Sequence, residues 1–282
     1  MEPYFIVTML CLYLSILVTG VEYIKIRPVF TGGNLLEWKM LRLRSGVFTG
    51  SLFSGLFDRI YNRHINILFW AMVVLPLSGI AFVVLYERYQ LSSLFTAQVV
   101  VMNSILLLNN FRSRYALDGA DQFNTIAITA LSICLLLRPQ DFEVYFLGFI
   151  AFQLTLSYFM AGIFKVFSVN WLSGKAISDV FNGKVYGSRF IAGVFKRWPV
   201  MRIVLSVTVI TWEVLFPFSF FLPEDIFFCF LGVGVGFHLF NAVFMGLNCF
   251  FLSFVSGYPA LVFVYYFIRQ ISNGGVLSLP GF

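Results

Sequence analysis

The sequence predicts an all-α protein: a polytopic integral membrane helix bundle with about eight transmembrane helices and additional amphipathic interfacial helices. Of its 282 residues, 60% are hydrophobic and only 11% are charged, and the mean hydropathy is +0.88. A soluble globular domain carries about 25% charged residues because it needs a polar surface. The apolar residues also fall into segments close to the roughly 20 residues that a helix needs to cross the hydrocarbon core.

Eight segments are expected to span the membrane. The first could be mistaken for a signal peptide, but Met1, Glu2 and Pro3 supply no basic residue and no small-residue cleavage site follows, so we interpret it as a transmembrane helix. The fourth is the weakest because it is short and begins with the polar Asn124 and Thr125. The predicted spans cover residues 4–21, 66–86, 91–109, 122–138, 143–164, 203–222, 226–246 and 249–268.

Basic residues are concentrated on one predicted side of the membrane. With eight spans, the long loops of residues 22–65 and 165–202 share a side with the segment that precedes the fourth helix. That side holds all of the 19 Lys and Arg residues except Arg88, Arg138 and Arg269. The positive-inside rule then places both loops and Lys165 in the cytoplasm, provided that every predicted segment crosses the membrane.

Each long loop contains an amphipathic pattern that is typical of an interfacial helix. Two interpretations remain open for these patterns, since they could form a lid over a membrane cavity or simply pack at the interface. In the first loop, Gly46, Gly50 and Gly55 would allow close packing against other helices. The apolar residues of the two patterns are Phe48, Leu52, Phe53, Leu56, Phe57 and Ile60, and then Trp171, Leu172, Ala176, Ile177, Val180 and Phe181.

Composition also argues against several other functions. The net charge of +6 reflects the loop Lys and Arg of a membrane protein, so no nucleic-acid partner is expected and the lipid bilayer is the predicted environment. Cys11, Cys134, Cys229 and Cys249 are scattered in apolar segments and are interpreted as buried thiols. A metal site is disfavoured because there are only two histidines. Without a repeat or a linker, residues 1–282 are interpreted as one transmembrane domain.

The lysine at the end of the fifth predicted span is the most informative residue. No charged side chain occurs from Val144 to Phe164, and Lys165 follows directly. An ammonium group near the bilayer centre costs about 2.5–3.5 kcal/mol, which makes such a residue a candidate for function. The alternative is that Lys165 only marks the helix end and reaches the headgroups. If it points inward among apolar side chains, desolvation favours the neutral amine that a general base needs.

Further polar residues lie within the other predicted spans. Glu213 is in the middle of the sixth span, His238 and Asn241 are three positions apart in the seventh, and Asp118 and Asp121 precede the fourth. Each has a structural alternative: a protonated Glu213 bonded to a neighbouring helix, interhelical hydrogen bonds from His238 and Asn241, and a helix cap from the acidic pair. Their occurrence together in an apolar bundle suggests one shared polar pocket.

Four stretches of the sequence resemble the vitamin K-dependent gamma-carboxylase-like family, whose membrane part is the horizontally transferred transmembrane domain. The first runs from Tyr158 through Gly162 to Lys165 and on to Asn170, Trp171, Gly174 and Ala176. The resemblance covers about residues 65–270, with all four motifs in order. The other three stretches are Asp118 to Gln122; Thr211, Trp212, Glu213 and Pro217; and Phe237, His238 and Leu239 followed by Met245, Gly246, Leu247 and Phe250.

The resemblance implies a chemistry and a set of site residues. In the carboxylase, a lysine of this motif deprotonates reduced vitamin K, which then reacts with oxygen. Carried over, Lys165 would be the general base for a reduced naphthoquinone or a similar quinol, and small members of the family suggest a bacterial cytoplasmic membrane. The expected catalytic residues are Lys165, Glu213 and His238, and the expected substrate pocket is formed by Tyr158, Gly162, Trp171, Asp121 and Asn241.

The chain departs from the family in two respects. It ends at Phe282, without the large soluble domain that holds the carboxylase's peptide substrate, so protein carboxylation by this chain alone is not expected. The carboxylase lysine faces the lumen, whereas the charge pattern places Lys165 in the cytoplasm, so the orientation remains open. The alternative function is a non-enzymatic membrane scaffold, or a maturation or immunity component for a secreted peptide or a membrane-protein partner.

Overall fold

The computed structural model describes residues 3–31, 34, 36–44, 54–89, 92–112, 118–137 and 139–272. Within these ranges the chain forms helices and connecting turns, with no strand. A π-helix at Arg59–Arg63 follows α3, and 3₁₀-helices occur at Arg27–Phe30 and Phe216–Phe221. The α-helices are α1 Pro3–Lys25, α2 Trp38–Arg44, α3 Ser54–Asp58, α4 Ile65–Tyr89, α5 Ser92–Arg112, α6 Gly119–Leu137, α7 Phe142–Val166, α8 Val169–Leu172, α9 Lys175–Asn182, α10 Arg189–Arg197, α11 Pro199–Leu215, α12 Glu224–Met245, α13 Asn248–Ser256 and α14 Tyr258–Ser272.

The prediction of a polytopic helix bundle is confirmed. Across the described residues, eight helical segments are long and apolar enough to cross a membrane. Each overlaps one predicted span, and most extend a few residues beyond it. The eight segments are Pro3–Lys25, Ile65–Leu85, Ser93–Arg112, Gly119–Leu137, Phe142–Val166, Pro199–Phe221, Glu224–Met245 and Asn248–Ser272.

The last span differs from its prediction because it consists of two helices. α13 ends at Ser256 and α14 begins at Tyr258, with Gly257 between them. Pro259 favours the break, since a proline has no N–H to donate and is best accommodated in the first turn of a helix. The cysteines also differ in part: none of the four forms a disulfide, but only Cys249 is buried, and Cys229 is exposed on α12.

The chain divides into two compact units, Pro3–Phe146 and the residues from Leu147 onward, with the boundary inside α7. In the first unit α1 and α4 pack closely. A Cβ on Gly20 would lie 2.5 Å from the carbonyl oxygen of Met72, and one on Gly79 would lie 2.5 Å from the ring of Tyr13. Small residues allow this close approach in membrane bundles, where helices associate through packing.

The described part of the first long loop packs within the first unit, against α4 and α5. Trp38 Nε1 donates a hydrogen bond to Asp58 Oδ1 at 2.7 Å, and Arg42 pairs with the same carboxylate. Of the predicted amphipathic face, Phe57 and Ile60 pack against the buried cluster around Trp38, whereas Leu56 is exposed. Phe48, Leu52 and Phe53 lie outside the described residues, as do Gly46 and Gly50.

The second long loop folds into the short helix α8 and the amphipathic helices α9 and α10. α9 and α10 bury apolar faces against each other and against the end of α12, as the pattern in the sequence predicts for α9. Trp171 and Leu205 border the same cluster. Its buried members are Ile177, Phe181, Ile191 and Phe195, and Phe240, Phe244 and Met245 of α12 pack against them. This loop therefore covers one end of α11 and α12.

Candidate functional site

Lys165 forms an ion pair with Glu213 inside the second unit. Its Nζ donates to both carboxylate oxygens of Glu213, at 2.5 and 2.6 Å, and the two side chains are only 16% and 3% exposed. Tyr158, Gly162 and Lys165, at positions i, i+4 and i+7 of α7, share one face, and all three meet α11. At Gly162 the helices are so close that a Cβ would lie 2.9 Å from the Cβ of Glu213.

The two residues of the ion pair occupy different positions in their predicted membrane spans: Glu213 is near the middle of its segment, and Lys165 is near the end of α7. Ile210 is the midpoint of the segment Pro199–Phe221, and Glu213 is three positions beyond it, or about 4.5 Å along the helix axis. α7 ends at Val166, as expected for a lysine that marks a helix end. The chain then continues along α11, where Ser206 Oγ donates to the carbonyl of Trp171. The ammonium group of Lys165 therefore contacts Glu213 instead of extending to the headgroups.

Gly174 fixes the path of the chain beyond Lys165. It adopts the left-handed backbone conformation, with φ of +70°, and a Cβ there would lie 2.8 Å from the carbonyl carbon of Arg202. Both features favour glycine, which has no side chain to clash and tolerates positive φ. Gly174 precedes α9, so this contact directs α9 along α11.

Among the aromatic residues near Lys165, Trp171 makes the direct contact. Its ring centroid lies 5.0 Å from Nζ, which is a favourable distance for a cation–π interaction. Phe164 and Phe167, by contrast, are 69% and 83% exposed. The apolar environment predicted for Lys165 is therefore supplied by Trp171 and the helix interface, and these two phenylalanines point away from it.

A mainly apolar cavity of about 400 Å³ borders the ion pair. Its walls come from α9, α11 and α12, and Lys165 lies at its edge. Thr208 and Asn241 supply other polar side chains of the lining. The remaining lining residues are Trp171, Ile177, Val180, Phe181, Leu205, Val209, Val233, Gly236, Phe237, Phe240 and Met245. Pockets of about 300–1,000 Å³ with apolar walls and few polar groups are typical of small-molecule sites.

His238 is buried beside this cavity in a second hydrogen-bonded group. Its Nε2 lies 2.8 Å from the hydroxyl oxygen of Tyr158, and that hydroxyl lies 3.1 Å from the hydroxyl of Tyr258. His238 therefore forms an interhelical hydrogen bond, as the structural alternative for this residue predicted. Its Nδ1 is buried and has no hydrogen-bond partner among the described residues. Asn241, one turn further along α12, faces the cavity.

Asp121 belongs to the first unit, where it takes part in a different polar cluster. Its carboxylate accepts a hydrogen bond from the hydroxyl of Tyr23 at 2.9 Å. Its backbone N–H donates to the carboxylate of Asp118 at 2.9 Å, so Asp118 caps α6 as the structural interpretation of the acidic pair predicted. Arg112, which the sequence analysis treated only as a basic residue before the fourth helix, is buried and stacks over the ring of Phe30.

Two residues of the second unit's polar core, Tyr258 and Trp212, were not among the predicted site residues, although Trp212 belongs to one of the four motifs. Tyr258 completes the hydrogen-bonded group around His238, and Trp212 donates from Nε1 to the carbonyl of Phe230 at 3.0 Å. Both residues meet Gly234, where a Cβ would lie 2.1 Å from the Tyr258 hydroxyl oxygen. The glycines at 232, 234 and 236 are the one sequence signal that could have indicated a close helix contact here.

Comparisons of the chain with protein-family models, with curated proteins and with solved structures found no match. The resemblance to the carboxylase-like family therefore rests on the four sequence motifs. The motifs that carry Lys165, Glu213 and His238 all lie in the second unit, whereas the motif that carries Asp121 lies in the first.

Proposed function

We propose that the protein is a membrane enzyme that deprotonates a lipid-soluble quinol, or a similar lipid, in the cavity beside Lys165. The observation that carries this proposal is the ion pair of Lys165 with Glu213 at the edge of an apolar cavity of about 400 Å³. An aromatic ring that carries hydroxyl groups suits such a cavity, because its faces are apolar and its hydroxyls need polar partners. The resemblance to the carboxylase-like family independently suggests a reduced naphthoquinone, and a bacterial cytoplasmic membrane as the location.

In this proposal Lys165 is the general base and Glu213 is the group that makes the amine available. The ammonium first gives a proton to the Glu213 carboxylate, which is 2.5–2.6 Å away. That transfer leaves a neutral amine and a neutral carboxyl group, and so removes two charges from an apolar site. The amine then takes the proton of a quinol hydroxyl, which produces a quinolate beside the new ammonium group of Lys165. Atoms and charges balance at each step.

His238 and Tyr158 would hold the site in shape in this scheme. Tyr158 packs its ring 4.8 Å from that of Trp212, the neighbour of Glu213 in the sequence, and bonds His238 through its hydroxyl. Asn241 and Thr208 supply polar side chains to the cavity wall, where one of them could bond the second oxygen of the ring. Trp171 bonds Ser206 through its backbone and contacts Lys165 through its ring, so it would orient the amine.

The experiment supplies the purified protein with 2-methyl-1,4-naphthoquinol and molecular oxygen and measures the naphthoquinone epoxide by mass spectrometry. One quinol and one O₂ give one epoxide and one water, so oxygen is the oxidant. We expect epoxide from the wild type and none above background from Lys165→Ala. Lys175→Ala is the matched control, because Lys175 is an exposed lysine of α9 that does not line the cavity.

Two results would contradict the proposal. Equal epoxide formation by Lys165→Ala and the wild type would exclude Lys165 as the base. Absence of both epoxide formation and naphthoquinone binding in the wild type would favour the non-enzymatic alternative, a scaffold or a maturation component for a secreted peptide or a membrane partner. That alternative predicts a co-purifying partner whose retention is unaffected by Lys165→Ala but is reduced by substitution of Trp171.

A further inference from the structure

We infer that the cavity beside Lys165 opens sideways to the bilayer between Thr208 of α11 and Val233 of α12, and that the groove beyond this opening binds the hydrocarbon tail of an amphiphilic ligand. The inference rests on the proposed function for the position of the polar head, which lies against Lys165. It adds the ligand's second part, a long apolar tail, and the route by which the ligand enters.

Thr208 and Val233 connect two separate hollows of the second unit. Both residues line the cavity beside Lys165, and both also line a groove of about 380 Å³ between α11 and α12. The groove is bounded further by Val207, Thr211, Trp212, Leu215 and Phe230. The two hollows share residues on both helices and are therefore adjacent, so we place the opening between them at Thr208 and Val233.

The groove faces outward along a membrane-spanning helix. Val207, Thr211 and Leu215 follow one another at intervals of four, so they form a stripe on one face of α11. Val207 and Leu215 are 45% and 44% exposed, and Val233 is 50% exposed. Exposed side chains at this position in a span contact lipid tails. A tail in the groove would therefore remain in contact with the hydrocarbon core while the head occupies the cavity.

The size of the cavity explains why a second space is needed. A volume of about 400 Å³ is near the lower end of the roughly 300–1,000 Å³ found for small-molecule pockets. It accommodates a polar head of one or two rings but not a long tail in addition. The large side chains of Ile177, Val180 and Phe181 line the α9 side of the cavity, so the side toward the groove is the route that we infer for the tail.

A third hollow offers the competing route, but its position is less suitable. It has a volume of about 340 Å³ and shares Leu205 and Thr208 with the cavity. Its other residues, which include Trp198 and Pro199, lie at the start of α11. The end of a span is where a helix meets headgroups and water, and tryptophan is enriched there. The groove along Val207 and Leu215 instead keeps a tail within the apolar part of the span.

The test compares a ligand that has a tail with one that has none. The protein is reconstituted in phosphatidylcholine nanodiscs and titrated with menadione, which lacks a tail, or with a menaquinone that carries four prenyl units. Binding is followed by quenching of tryptophan fluorescence, because Trp171 lines the cavity and Trp212 lines the groove. These oxidised probes have the ring system of the corresponding quinols and do not react with oxygen during the titration.

Three substitutions by phenylalanine locate the tail. Phenylalanine adds bulk without adding a tryptophan, which would change the fluorescence signal used to measure binding. Val233→Phe narrows the opening, and Val207→Phe fills the groove outside it. Val243→Phe is the matched control, since Val243 is a 67% exposed valine of the same helix, α12, that lines none of the three hollows. We expect both Val233→Phe and Val207→Phe to raise the Kd of the prenylated quinone about tenfold or more. Of the three hollows, Val207 lines only the groove, so Val207→Phe should leave the Kd of menadione within about twofold, because only tail contacts are lost.

The possible results separate this inference from the proposed function. If the wild type binds both probes and all three variants bind the prenylated quinone alike, the lateral opening is wrong and the quinol site stands. If Val207→Phe weakens menadione binding as much as it weakens binding of the prenylated quinone, the groove is not a separate tail site and the inference is overturned. If the wild type binds neither probe, the proposed function and this inference both fail.

Discussion

The ammonium group of Lys165 lies 2.5 and 2.6 Å from the carboxylate oxygens of Glu213, a residue near the middle of its predicted membrane span. Two opposite charges at this depth compensate each other, whereas either one alone would be a buried ion without a partner. The cavity next to the pair gives a ligand access to Lys165. Structural and catalytic roles of the pair can therefore be separated by experiment.

We first predict that single substitutions in this pair are costly and that a double substitution is much less so. Glu213→Gln or Lys165→Met should each lower the free energy of unfolding by about 3–5 kcal/mol, because each leaves an unpaired buried charge. Combining Lys165→Met with Glu213→Gln removes both charges and should recover most of that loss. Unfolding in detergent followed by circular dichroism measures all three variants. Additive losses in the double variant would show that the pair is not coupled.

Gly162 is predicted to determine whether the pair can form. Gly162→Ala places a methyl group 2.8 Å from Val214 Cγ2 and 2.9 Å from Glu213 Cβ, so it should force α7 and α11 apart at a cost of about 1–3 kcal/mol. Gly148→Ala is the control on the same helix, since a Cβ there meets nothing within 4 Å. That control should be neutral or stabilising, because alanine favours helix more than glycine does. Equal unfolding midpoints for the two variants would contradict the close contact.

The sequence was sufficient to predict the spans because hydropathy and segment length alone determine them. The predicted last span, residues 249–268, runs without a break through Pro259, although a proline inside an apolar segment is a signal for the helix boundary that the structure shows there. The partners of the polar residues were much harder to infer. Glu213 lies 48 positions from Lys165, and no periodic pattern links residues so far apart on different helices.

The separation of Asp121 from Lys165 shows the same limit. All the polar residues were expected in one pocket because each is costly alone in an apolar bundle. The structure instead distributes them between two units, where Tyr23 supplies a local partner for Asp121. A tyrosine near the end of an apolar helix can bond a buried carboxylate, or it can lie at the membrane interface, where tyrosine is enriched. The sequence does not distinguish these two roles. The partner of a buried carboxylate depends on helix packing, which one sequence leaves open.

The hydroxyl of Tyr158 is predicted to matter more than that of Tyr258. Tyr158→Phe removes the contacts to both His238 and Tyr258. Since Nδ1 of His238 has no partner in the described part of the chain, neither ring nitrogen would then be bonded within that part. Tyr158→Phe should cost about 1–3 kcal/mol in unfolding free energy. Tyr258→Phe removes only the 3.1 Å contact and should cost less. Thermal unfolding of both variants in one detergent provides the comparison, and a larger loss for Tyr258→Phe would contradict this order.

Gly236 offers a way to fill the cavity without disturbing the helix contacts around it. It lines the cavity, and a Cβ at this position meets nothing within 4 Å. Gly236→Leu should therefore abolish menadione binding by occupying the space of the ring. It should leave the unfolding midpoint unchanged or raise it, because leucine has a higher helix propensity than glycine.

Gly232→Leu controls for the effect of a leucine on the same helix. Gly232 is exposed, has nothing within 4 Å of a Cβ and does not line the cavity. Gly232→Leu should gain the same helix stability as Gly236→Leu while keeping wild-type menadione binding. Unfolding followed by circular dichroism and titration by tryptophan quenching measure the two properties on one preparation. If Gly236→Leu remained folded and bound menadione as tightly as Gly232→Leu, the ring would have to bind outside the cavity beside Lys165. Lys165 would then have no direct access to the ligand, and its ion pair with Glu213 would be left with a structural role.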